Sequence, residues 1–79
     1  MTKITYTDVV KIKERAENVV LKLPGVTGID IGQTVMEGIE QYIIRIYVDN
    51  IAELPDMLKD LKAIEDVPVS IVERHFLLH

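Results

Sequence analysis

One serine, Ser70, and two histidines, His75 and His79, are what these 79 residues offer for a hydroxyl–imidazole site, and there is no cysteine. Ser70 and His75 lie an odd number of positions apart on a segment that reads as extended, so they face opposite sides and cannot share a proton. His75 and His79 are four apart and would hold a metal only on a helix, with Glu73 as the nearest carboxylate. That is too few ligands for a tetrahedral site. Gly25, Gly28 and Gly32 suggest a phosphate loop, but such loops follow a strand and open a helix. Here the glycines follow a helical pattern and enter an extended one, which fits a tight turn and close backbone approach on a sheet. The acids Glu37 and Glu40, and Glu65 with Asp66, sit at turn signals, where water keeps carboxylates ordinary; Asp56 and Asp60 are interleaved with Lys59 and Lys62. No catalytic group, metal site or cofactor is expected, and the chain reads as non-enzymatic.

The elements that must position any working surface are better marked. Thr5 to Leu23 has Val9, Ile12, Ala16, Val19 and Leu23 at helical spacing, with Thr7 or Thr5 to cap it and Asp8 as capping-box partner of Thr5. Pro24-Gly25 should end it. Before it, Lys3-Ile4-Thr5-Tyr6 alternates and could form an edge strand. From Val26 the period becomes two: Ile29, Ile31 and Val35 point one way, Asp30, Gly32 and Thr34 the other. Met36-Glu37-Gly38 reads as a hairpin turn. Ile39 to Asp49 follows, with Tyr42, Ile44, Ile46 and Val48 inward and Gln41, Ile43, Arg45 and Tyr47 outward. Asn50 to Ile64 returns to helical spacing through Leu54, Leu58, Leu61 and Ile64, with Pro55 admissible only in a first turn. Asp66 to Glu73 is a last strand with Val67, Val69 and Ile71 inward and Ser70, Val72 and Arg74 outward.

The order (β)αββαβ predicts an α+β two-layer sandwich over residues 1–79 as a single domain. Two helices would cover one face of a three- or four-stranded sheet, in a ferredoxin-like or split βαβ arrangement.

Charge narrows the partners. Nine basic residues against thirteen acidic leave −4, which disfavours nucleic acid. The imbalance is uneven: five basic against three acidic up to Leu23, then four against ten. No stretch approaches the roughly 18 apolar residues of a membrane span, and Met1 to Thr5 holds no apolar run of leader length, so a cytoplasmic chain without membrane contact is expected. A chain this short builds a core worth only about 3–5 kcal/mol, a shortfall that self-association commonly offsets. The outer sheet face would carry Ile43, Tyr47 and Val72 around Arg45, Ser70 and Thr34, with Phe76-Leu77-Leu78 as an apolar end. Ile43, Arg45, Tyr47, Val72, Phe76, Leu77 and Leu78 are therefore the expected interface for a protein partner or a second copy in a homodimer.

The segments Leu23-Pro24-Gly25-Val26-Thr27-Gly28-Ile29-Asp30-Ile31-Gly32, Tyr42 to Val48, and Val67-Pro68-Val69-Ser70-Ile71-Val72-Glu73-Arg74-His75-Phe76 resemble a group of small uncharacterised bacterial αββαβ modules. Those carry "PGV-x-G-x-x-x-G", a hairpin and a closing "GVP-x-x-V-x-E-R-x-F", and some stand beside trypsin-like peptidase domains. Asp66 occupies the place where that closing segment usually has Gly. A weaker resemblance is to subtilisin propeptides, whose last strand ends in "V-x-x-V-E-x-D-x-x-x-H"; Val69, Val72, Glu73 and His79 match, while Arg74 and His75 depart from it. That resemblance implies an alternative role as protease inhibitor or intramolecular chaperone, with His75 to His79 as the substrate mimic.

Overall fold

The computed structural model describes residues 5–74. It is a small α+β domain with one main helix on one face of a mixed four-stranded sheet.

Helix α1 (Tyr6–Val20) starts where Thr5 and Asp8 close a capping box. The Asp8 amide donates to Thr5 Oγ1 at 3.2 Å, and the Thr5 amide donates to Asp8 Oδ2 at 3.4 Å. Thr5 and Tyr6 therefore belong to a helix start and not to the expected edge strand, whose Lys3 and Ile4 lie outside the described residues. The buried stripe is Val9, Ile12, Ala16 and Val20, whereas Val19 is 49% exposed. Helical geometry explains the exchange: eleven residues after Val9 is about three full turns, so Val20 returns to its face and Val19 does not. The helix ends three residues before the expected Leu23, as the amides of Lys22 and Leu23 tighten onto Val19 and Val20, and Gly25 then turns the chain at φ 81°.

Strands β1 (Val26–Met36) and β2 (Ile39–Val48) form an antiparallel hairpin. Its turn residues, Glu37 and Gly38, have φ of 53° and 79°, the doubly left-handed pattern whose twist matches that of the strands it joins. Beyond β2, the expected helix over Asn50 to Ile64 does not form. Residues Ile51–Glu53 make a 3₁₀ turn capped by Asn50, α2 is a single turn (Asp56–Lys59) directly after Pro55, and β3 (Ala63–Ile64) pairs antiparallel with β4 (Val67–Glu73). The demand comes from β4, whose far side needs hydrogen-bond acceptors; the Val69 amide donates to the Lys62 carbonyl at 3.0 Å. The apolar spacing is still satisfied: Leu58 is buried, and Leu61 and Ile64 pack against the core from a loop and a strand. The helical layer thus holds one long helix, not the two of the ferredoxin-like or split βαβ expectation.

The sheet order is β1-β2-β4-β3, and β2 and β4 run parallel, with Ile44 opposite Val69 through Val48 opposite Glu73. The Arg74 amide donates to the Val48 carbonyl. Donors toward β2 alternate, so counting back in twos from Arg74 reaches Pro68, which has no N–H. The parallel ladder stops there. Beyond it the β1–β2 hairpin continues as a two-stranded arm, giving the molecule its 44 × 25 × 24 Å shape.

The core comprises Val9, Ile12, Ala16 and Val20 from α1, Ile44, Ile46 and Val48 from β2, Leu58, and Val67. Ile46 is fully enclosed while Ile43, on the opposite face, is half-buried. Replacement Ile46→Ala is expected to cost about 2–5 kcal/mol by urea denaturation, the usual range for an enclosed isoleucine, and Ile43→Ala clearly less.

Candidate functional site

Every core side chain of β2 is an even-numbered residue, so the odd-numbered ones must emerge on the face that α1 does not cover. On that outer face the hairpin register puts Asp30 of β1 opposite Arg45 of β2, and the parallel register puts Ser70 opposite Arg45 and Val72 opposite Tyr47. Strand pairing alone therefore brings an acid, a guanidinium and a phenol into one row.

Their side chains converge on Asp30. Arg45 donates from Nε to Asp30 Oδ1 at 2.8 Å and from Nη2 to Oδ2 at 3.1 Å, a two-point fork; the Tyr47 hydroxyl donates to Oδ2 at 2.8 Å. The Arg74 guanidinium lies over the Tyr47 ring, 4.8 Å from its centroid. Two glycines of β1 give these side chains room to lie flat. A Cβ on Gly32 would stand 2.9 Å from the Arg45 guanidinium carbon, and one on Gly28 would touch the Tyr47 ring at 3.6 Å. Gly32 is thus the one position here where a side chain would force its neighbour to move.

The cluster sets its own protonation. Burial opposes the charge of Asp30, but hydrogen bonds from Arg45 and Tyr47, with the positive charges of Arg45 and Arg74, outweigh it and hold the carboxyl below the usual carboxylate range. The hydrogen bond to Asp30, then burial and the carboxylate's charge, push the Tyr47 phenol up. At neutral pH the group is an ionised acceptor holding three donors, which makes Asp30 a weak base and a firm anchor. Asp30 and Arg45 side chains remain 43% and 40% exposed, so solvent and salt weaken the pair.

Of the expected interface residues, Ile43, Arg45, Tyr47 and Val72 share this face, and each is half-buried. Phe76, Leu77 and Leu78 lie outside the described residues, as do His75 and His79, and with them the surface that an inhibitory tail would need. The sequence expectation has Asp30 and Arg74 outward without joining them to Arg45 and Tyr47; the signal that could have joined them is the outward face they share across paired strands. The other acids are spent elsewhere or solvated. Glu65 takes a bidentate contact from Arg15 at 2.8–3.2 Å, tying α1 to the β3–β4 turn, and Asp56 pairs with Lys59. Among the described residues no group of three or more His, Asp or Glu side chains could hold a metal ion, and no helix is long and apolar enough to cross a membrane.

Comparison with family models, with curated proteins and with solved structures found no match to this chain.

A carboxyl with a depressed pKa stabilises the fold above its unfolded pKa, and that contribution is lost as pH falls through the folded value. Stability should therefore drop below about pH 4, and Asp30→Asn should flatten that part of the curve in acid-denaturation measurements. The same variant should bring the Tyr47 phenol back toward about 10 in an ultraviolet titration.

Proposed function

We propose that this chain is a non-enzymatic interaction module that self-associates, and that its outer sheet face is the surface that meets a protein. One observation carries the reading: α1 lies on the inner face alone, and the outer face, which no described element covers, displays Arg45, Tyr47 and Arg74 around Asp30. Tyrosine and arginine are the residue types that dominate binding energy at protein interfaces. Holding them in place before contact lowers the entropy lost on association. Ile43 and Val72 flank the cluster as half-buried apolar patches, while Ser70 adds a small polar group. Glycine at positions 28 and 32 keeps the face flat enough for a second flat surface to approach. The modest core favours the same reading, since the described residues enclose nine side chains, none of them aromatic.

The test is sedimentation equilibrium of the wild type beside Tyr47→Ala, with circular dichroism to show that the variant folds. The wild type is expected above its monomer mass of 9.0 kDa. Removing a hot-spot tyrosine should weaken association roughly 30-fold. Equal association constants for the two chains would remove the outer face from the account.

A further inference from the structure

The two edges of the sheet are built differently. One ends in β3, only two residues long, a length that offers little to an approaching strand. The other is β1, eleven residues long, and its free side is paired with nothing among the described residues. Natural edges are usually blunted by lysine, proline or bulges. From Ile29 to Met36 this one has no proline and no basic residue, and its register shift lies before that stretch, between Val26 and Gly28.

Which backbone groups are free follows from the turn. A two-residue hairpin loop closes between hydrogen-bonded neighbours, here Met36 and Ile39. Bonded pairs recur every second residue, so Thr34, Gly32 and Asp30 also spend their amides and carbonyls on β2. Ile29, Ile31, Gln33 and Val35 turn theirs to the open edge. Along that edge runs a cleft of about 340 Å³ between β1 and α1, lined by Tyr6, Val10, Lys13, Glu14, Asp30 and Ile31.

We propose that β1 pairs with β1 of a second copy, antiparallel, about a two-fold axis at Ile31. This rests on the reading of the chain as a self-associating module and gives it a second contact, the strand edge. Three features select a second copy and this register. The bonded pairs become Ile31 with Ile31 and Ile29 with Gln33, all residues whose backbone groups are free. Asp30 then falls opposite Gly32 of the second copy, so the strand's one charged group between Ile29 and Met36 meets no like charge. Above that Gly32 lies the second copy's Arg45. Its Nε and Nη2 are engaged by its own Asp30, while Nη1 lies 3.3 Å from where a Gly32 Cβ would be, with no acceptor among the described residues. Each Arg45 thus presents its spare donor to the Asp30 that the axis brings beside it. On the inner face, Tyr6 stacks edge-on with Tyr42, the residue opposite Gln33, which sets α1 antiparallel to β1. The same axis then turns Val10 toward Val10 and Tyr6 toward Lys13 and Glu14.

The chain has no cysteine, so single introduced cysteines report the register directly. Ile31→Cys would oppose itself at a Cα separation of about 5.5 Å, within disulfide reach. Gln33→Cys would stand roughly 13 Å from its own copy, out of reach. Mild oxidation of the full chain should give covalent dimer from Ile31→Cys and little from Gln33→Cys. Gln33→Pro removes an edge donor that β2 does not use, and should weaken dimerisation roughly 10- to 100-fold with an unchanged circular dichroism spectrum. Tyr47→Ala, its face contact removed, should sediment at twice 9.0 kDa, and adding Gln33→Pro should return it toward the monomer. A Tyr47→Ala chain that is monomeric at millimolar concentration, or equal crosslinking of the two cysteine variants, overturns the edge pairing. If Gln33→Pro fails to fold, the cysteine pair decides. Gln33→Pro leaves the outer face intact and Tyr47→Ala leaves the edge donors intact, so failure of either contact is read separately.

Discussion

Among the described residues β2 is the only strand with long neighbours on both sides, and everything else is arranged by its alternation. Ile44, Ile46 and Val48 point to α1 and are enclosed; Arg45 and Tyr47 point away. A side-chain period of two leaves no freedom here, because sliding the register by one residue would bury a guanidinium and a phenol and expose three aliphatic side chains. Burying each such aliphatic residue contributes roughly 1.5–3 kcal/mol, which is a large share of what so small a domain can gather. The outer cluster is therefore held in register by the inner core.

That coupling gives the cluster its character. Asp30 and Arg45 are neighbours because Ile31 and Ile44 are, one residue over on the other face. An exposed ion pair by itself contributes little. In this setting it also fixes the orientation of Tyr47 through a shared carboxylate oxygen, and Tyr47 in turn supports Arg74. The result is a rigid polar and aromatic plate, built on a strand and not on a loop.

Much of this was legible in the residues. Whereas the expected helix runs three residues past Val20, the capping box of Thr5 and Asp8, the hairpin turn at Glu37-Gly38 and the two faces of β2 each follow from local spacing. So did the outward placement of Ile43, Arg45, Tyr47 and Val72. The segment from Asn50 to Ile64 was not legible, because Leu58, Leu61 and Ile64 suit a helix and a turn-plus-strand equally well. The decision lay with the unsatisfied side of β4, a requirement no local window contains. Asp66 shows the same influence at a single residue: at φ 72° it occupies the left-handed region, where glycine is the usual occupant and aspartate is tolerated.

The sequence by itself determined which residues are helical at the start, which alternate afterwards and which side of each strand is apolar, since these depend on neighbours a few positions away. Beyond the β1–β2 hairpin, which its turn already signals, tertiary structure alone decided which strands lie together. Strand pairing set Asp30 beside Arg45 and placed Tyr47 over Gly28. The missing amide of Pro68 freed the hairpin arm, and the sheet order left β1 as an edge that no described strand pairs. The physical reason is that a strand's hydrogen bonds are satisfied by another strand and not by itself, so partner and register are properties of the assembled sheet.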